Sequence, residues 1–184
     1  MSTLISRIIS TLQRWANWKA IAILAALFLI FDFFILPAAK AYPGEENLPV
    51  LDLKFWYMPQ QAYQAIAEYG PEARRSAAWM HLTIDVAYPL VYGLLLSLSL
   101  AMVFRGAAPQ QSQLLLFPWR AVIADYLENA GLVAMFLLYP SQFPFLAWIT
   151  AVFTALKWLQ IGFSFLALLV GSLLLLLGRA KNRV

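Results

Sequence analysis

Three polar side chains interrupt an apolar stretch, WRAVIADYLENAGLVAMFLLYP, which covers residues 119–140. Asp125, Glu128 and Asn129 are spaced i, i+3 and i+4, so a helix would present them on one face. An ionised carboxylate at the centre of a bilayer costs roughly 2.5–3.5 kcal/mol on insertion scales. Carboxyl groups at such positions need a counter-charge, a bound proton or a cation, and each of these is a chemistry that a membrane protein can use.

Polar side chains follow one face of other apolar stretches as well. Four of them step by four, three and four residues, the spacing of a single helical face, namely His81, Asp85, Tyr88 and Tyr92. The last apolar stretch carries a broader stripe of Thr150, Thr154, Lys157, Gln160 and Ser164, and the first contains Asp32. Because lipid penalises such groups, we expect these faces to point inwards.

The composition indicates a membrane protein. Hydrophobic residues make up 62% of the 184 residues and charged residues 12%, about half the charged fraction of a soluble domain. Mean hydropathy is +0.72. The chain has no cysteine, which excludes disulfides, thiolate metal sites and cysteine nucleophiles. The single histidine excludes bis-histidine haem, and neither a cofactor nor a metal site is expected.

Four apolar stretches are each long enough for the roughly 20 residues that a spanning helix needs. They cover residues 18–38, 79–104, 118–139 and 145–178. No internal repeat divides residues 1–184, so we expect one domain: an all-α, four-helix transmembrane bundle. Pro89 lies inside the second stretch and should kink or loosen that helix at the level of the polar face.

The charges predict an orientation. Basic residues without acids flank one side of the spans, namely Arg7, Arg14, Lys19, Arg105, Arg120, Arg179, Lys181 and Arg183. The other side mixes four basic residues with five acids: Lys40, Lys54, Arg74, Arg75, Glu45, Glu46, Asp52, Glu68 and Glu72. By the positive-inside rule both termini are cytoplasmic and the segment 39–78 lies outside.

Two segments beside the spans have their own helix signals. In the segment 39–78, Pro59 and Pro71 each favour the first turn of a helix, and we expect this segment to cover the bundle as a helical lid whose aromatic residues 55–58 lie at headgroup depth. Residues 1–16 alternate apolar and basic positions, which is typical of an amphipathic surface helix. A cleavable signal peptide ending near Ala39 and Ala41 is the alternative for the first span, but the apolar run is longer than the usual 7–15 residues and contains Asp32.

The central charges do not balance. Glu128 and Lys157 each come about ten residues into their spans, and a tight connection makes the two helices antiparallel neighbours, so the sequence predicts an ion pair between them. Four acids then share one lysine, namely Asp32, Asp85, Asp125 and Glu128. This excess of acid favours a site that binds a lipophilic or cationic small molecule or a lipid.

Two other functions stay open. One is an enzyme that performs acid/base chemistry on a lipid, with Glu128 or Asp85 as the proton-transferring group and Lys157 stabilising negative charge. The other is a structural or assembly subunit, with a partner membrane protein or a second copy of the chain, in which polar side chains only hold the helices together. Nucleotide-binding and zinc-peptidase motifs are absent, and the basic residues follow topology, so no nucleic acid is expected.

A resemblance agrees with this architecture. The segments TIDVAYPLVYG (residues 83–93) and DYLEN…YPS (residues 125–141), together with a lysine in the fourth span, resemble a group of small bacterial four-span integral membrane proteins. The resemblance covers roughly residues 55–160 and its motifs are short. It implies the fold and an inner-membrane location but no activity.

Overall fold

The computed structural model describes residues 3–40, 48–105 and 113–181. This part of the chain is 87% helical and contains no strand. Four of its helices are long and apolar enough to cross a membrane, which confirms the all-α bundle. The cleavage alternative involves Ala41 and the charge count involves Glu45, Glu46 and Arg183, and these four residues lie outside the described part.

The four spans lie close to the stretches read from the sequence. Span one covers Trp18–Ala39, span two Pro71–Val103, span three Gln113–Leu138 and span four Pro144–Leu177. The helix of span four itself continues to Lys181. Successive spans run in opposite directions, so one end of the bundle carries the segment between spans one and two, and the other end carries the N-terminal helix.

The segment before span two folds over one end of the bundle. Residues 48–70, called the lid from here on, contain a short 3-10 turn at Leu51–Leu53 and a helix at Pro59–Glu68. Proline in the first turn of that helix and of the next one, which begins at Pro71, confirms the two predicted helix starts. Tyr57 and Ile66 are buried in a core that the lid shares with spans three and four.

Span two is interrupted, and not where the sequence predicted. One helix covers Pro71–Leu82 and the next covers Ile84–Val103, with Thr83 between them outside helical geometry. Pro89 lies inside the second helix, which stays helical on both sides of it. The helix is broken six residues before Pro89, where the Thr83 hydroxyl donates to the backbone oxygen of Trp79.

Span three occupies the centre of the bundle and packs against spans two and four. Two glycines permit its close approach. A Cβ atom on Gly131 would overlap the side chain of Thr150 on span four, and one on Gly93 of span two would lie 2.6 Å from Val122. The glycines therefore set how closely the backbones of these helices approach.

The N-terminal helix, Thr3–Trp15, is amphipathic as predicted. Ile9 and Leu12 on one face are buried against Leu98 and Leu115 at the end of the bundle opposite the lid. The Arg14 side chain on another face is exposed. This helix therefore packs along the end of the bundle and does not cross it.

Span one is peripheral. No residue in its most apolar 18-residue window is buried, compared with 44% in span two and 56% in span three. It packs mainly on span two. Between Phe31 and Ile35 its helix widens to a π-helix, a rare local geometry that is frequent at functional sites. Asp32 lies in this wider turn.

Candidate functional site

The predicted ion pair is confirmed and lies in the interior of the bundle. The Nζ of Lys157 is 2.5 Å from Glu128 Oε2 and 3.8 Å from Asp125 Oδ1. The other oxygen of Glu128 accepts a hydrogen bond of 2.8 Å from the hydroxyl of Thr154. Glu128 has no exposed surface, so the lysine and the threonine together compensate its charge.

A second polar group joins spans two and three nearer the lid. His81 Nδ1 lies 2.9 Å from Asp85 Oδ2 and 3.0 Å from the side-chain oxygen of Asn129. Both neighbours are acceptors, so this nitrogen carries a proton and shares it between them. All three side chains are buried.

Asn129 also explains how span two tolerates Pro89. A proline has no N–H, so the backbone oxygen of the residue four positions earlier, Asp85, loses its helical donor. The side-chain amide of Asn129 donates to that oxygen at 3.2 Å. Neighbouring helices in membranes commonly satisfy such freed backbone groups in this way.

Two aspartates are held by tyrosines. The hydroxyl of Tyr88 donates to Asp32 at 2.9 Å, and the hydroxyl of Tyr92 donates to Asp125 at 2.8 Å. The two rings lie edge to face with centroids 5.6 Å apart. This pair of contacts joins spans one, two and three around one point.

The lid supplies site residues that sequence reasoning placed elsewhere. The backbone oxygen of Asp52 accepts hydrogen bonds of 3.2 Å from Lys157 Nζ and from the indole N–H of Trp158. Tyr57 is 1% exposed, and its hydroxyl lies 3.3 Å from that of Thr154. Tyr57 therefore reaches the ion pair, whereas the sequence predicted headgroup depth for residues 55–58.

A salt bridge connects the lid with the end of span one. Lys40 Nζ lies 3.3 Å from Asp52 Oδ2. Burial alone would raise the pKa of Asp52, but nearby positive charge, with Lys40 contributing most, holds this pKa below its ordinary value of 3.8. Nothing in the sequence spacing identifies this pair, because the segment between the two residues is long and polar.

All of these groups surround a cavity of about 570 Å³ between the four spans, within the range of roughly 300–1,000 Å³ typical of small-molecule sites. Six charged side chains line it, namely Asp32, Lys40, Asp52, Asp85, Asp125 and Lys157. The remaining lining is mostly apolar and aromatic: Phe28, Leu36, Leu53, Tyr88, Tyr92, Leu95, Leu96, Ser99, Trp158, Ile161, Phe165 and Leu168.

A smaller cavity of about 160 Å³ lies beneath the lid. His81 and Tyr69 line it, and it shares Lys40 and Asp52 with the larger cavity. The salt bridge between these two shared residues therefore separates the two cavities.

The eight candidate residues from the sequence fall into two groups around the large cavity. Asp32, Asp85, Tyr88, Asp125 and Lys157 line it directly. His81, Glu128 and Asn129 lie behind them and hold the lining residues through hydrogen bonds or charge. Within the described residues, no three His, Asp or Glu side chains are placed to hold a metal ion.

No family model matches the chain, and no curated protein or solved structure is significantly similar to it. The function proposed below therefore rests on the geometry and charge of the site.

Proposed function

We propose that the protein binds a lipophilic molecule with a positively charged group in the cavity between its four spans. The observation that carries this proposal is a cavity between four apolar spans that is lined by four aspartates and two lysines. Both lysines already have acidic partners, because Lys40 pairs with Asp52, and Lys157 lies closer to Glu128 than to Asp125.

The charge balance favours a cation. Of the cavity aspartates, Asp32 and Asp125 receive their closest contacts from the neutral hydroxyls of Tyr88 and Tyr92. A carboxylate in a medium of low dielectric constant is stabilised far more by a nearby positive charge than by a neutral donor. A cationic ligand would add positive charge beside Asp32 and beside Asp125, whose nearby lysine, Lys157, is shared with Glu128.

The aromatic lining fits the same ligand class. The rings of Phe28 and Tyr88 are stacked with centroids 5.7 Å apart, and Tyr92 and Trp158 complete the aromatic part of the wall near the aspartates. Aromatic faces attract cations, and quaternary ammonium groups are often bound by cages of such rings. Charge and ring chemistry therefore support the same kind of head group.

The binding test uses a matched pair of probes. The cation benzyltrimethylammonium and its uncharged carbon isostere, neopentylbenzene, have nearly the same shape. We expect the protein in phosphatidylcholine nanodiscs to bind the cation at least tenfold more tightly than the isostere, as measured by calorimetric titration. Asp125→Asn should reduce that preference, because it removes a carboxylate from the cavity but leaves an acceptor for Tyr92.

A control variant makes the test specific. Glu68→Gln removes the same charge from an exposed position on the lid helix and should leave binding unchanged. Equal affinity for the two probes, or equal effects of the two variants, would contradict the proposal.

The orientation is part of the same proposal. The excess of basic residues at the end opposite the lid supports cytoplasmic termini and a lid on the outer face of a bacterial-type inner membrane. Cytoplasmic reporters at residues 1 and 184 and an exported reporter near residue 46 should all be active. Any other combination would refute this topology.

A further inference from the structure

We infer that the ligand is a single-chain amphiphile that places its cationic head near Asp125 and its hydrocarbon chain between spans two and four. This inference rests on the proposed function and adds the shape of the ligand and its route of entry. The observation behind it is that the six charged lining residues lie towards the lid, whereas most of the apolar lining continues away from it.

The polar end lies towards the lid. Asp85 is at the lid side of span two, and Asp52 belongs to the lid itself. Lys157 of span four contacts the backbone of Asp52. All six charged lining residues lie at the level of Lys157 or between Lys157 and the lid.

The apolar end continues away from the lid. Span four contributes Ile161, Phe165 and Leu168 to the cavity wall, and span two contributes Leu95 and Ser99. Eleven residues separate Lys157 from Leu168, which corresponds to about 16 Å along a helix. A compact cation would leave this part of the cavity empty, whereas an alkyl chain would fill it.

The wall of the cavity is incomplete between spans one and four. Span one packs on span two, but in the described residues it makes few or no close contacts with span four. Phe165 of span four lines the cavity and is 57% exposed, so the neighbouring helices do not enclose it. A chain bound along span four would therefore reach the lipid through this gap, and the ligand can enter sideways from the membrane.

The charges argue against an ordinary phospholipid as the occupant. A phosphate group in the polar end would lie among four aspartates and only two lysines, both of which already have acidic partners, and like charges in a low-dielectric interior repel strongly. The occupant that satisfies both ends of the cavity has a positive head without phosphate and a single chain.

The experiment varies chain length while the head stays constant. Butyl-, octyl- and dodecyltrimethylammonium are titrated into the wild-type protein and into two variants that narrow the apolar end, Leu95→Trp and Ser99→Phe. The ratio of wild-type to variant affinity cancels partitioning of the probe into the nanodisc. We expect a ratio near one for the butyl probe and at least tenfold for the dodecyl probe.

Leu90→Trp is the matched control, because Leu90 is exposed on the same span and does not line the cavity. It should give a ratio near one at every chain length, and thermal unfolding should show that all three variants are folded. A ratio independent of chain length would overturn the inference. A phospholipid that native mass spectrometry finds bound to the protein, and that dodecyltrimethylammonium does not displace, would also overturn it. If the ratio is independent of chain length but benzyltrimethylammonium still binds, the proposed function stands and only the inference about ligand shape fails. If no cation binds, both the proposed function and the inference fail.

Discussion

The carboxylates of span one and of the other three spans differ in the partners that stabilise them. Within spans two to four, Glu128 and Asp85 have basic partners, Lys157 and His81, and all four side chains are buried. Span one contributes one acid, Asp32, whose partner is a tyrosine hydroxyl. No residue in the most apolar window of span one is buried.

The comparison separates two roles for polar groups inside a membrane. A fully paired and buried network fixes how helices pack, because removing one partner leaves a charge without compensation. A carboxylate held by a neutral hydroxyl, at the wall of a cavity and on a loosely packed helix, keeps its charge available to a ligand. The first type is expected to control stability and the second type binding.

The largest effect is expected at the ion pair. Lys157→Met strands Glu128 and removes the only cation near Asp125 among the described residues, and breaking one partner of a buried pair costs about 3–5 kcal/mol. The double variant Glu128→Gln/Lys157→Met should be more stable than Lys157→Met alone. Thermal unfolding in detergent at neutral pH measures both.

Acidification should rescue the single variant for the same reason, since a proton on Glu128 removes the stranded charge. The double variant, which lacks that carboxylate, should respond less to acid. Single and double variants that melt alike at every pH would show that the pair does not contribute to stability.

A smaller effect is expected where spans three and four touch. Gly131→Ala places a methyl group against Thr150, and overpacking of this kind costs about 1–3 kcal/mol. Gly162→Ala is the control, because no atom lies within 4 Å of the added carbon and alanine favours a helix by up to about 1 kcal/mol. The midpoint of chemical unfolding in detergent should therefore fall for Gly131→Ala and rise for Gly162→Ala. Equal shifts for the two variants would refute the close contact.

The smallest effect is expected at the salt bridge that ties span one to the lid. The side chains of Lys40 and Asp52 are 22% and 13% exposed, so water partly screens this pair, and its loss should cost less than the roughly 3–5 kcal/mol expected for breaking the buried pair. Because the pKa of Asp52 is lowered from 3.8, this contribution is complete above about pH 4 and is lost as the pH falls through the lower folded-state value.

Comparing wild type with Asp52→Asn checks the sign. The stability difference should be constant between pH 5 and 7 and shrink below about pH 4, as measured by unfolding at each pH. A difference that grows on acidification would contradict the assigned pKa direction. Glu68→Gln, on the exposed side of the lid helix, should show no comparable change.

Much of the fold follows from local pattern. The lengths of the apolar stretches predict the four spans, and Pro59 and Pro71 mark helix starts because proline fits the first turn. The break at Thr83 was missed because proline is the stronger sequence signal for a kink. Asn129 supplies the hydrogen bond that Pro89 leaves open, and the residue spacing in spans two and three does not identify this particular contact.

The sequence by itself determined which side chains share a helix face and which two helices must be neighbours. Those two facts were enough to pair Glu128 with Lys157, because spacing and a short connection are local properties of the chain. The tertiary structure alone decided that Asp52 and Tyr57 descend from the lid to the ion pair, and that spans one and four leave a gap. These features depend on how a polar segment folds back and on how side-chain volumes fill space between helices, and neither is encoded in a local period.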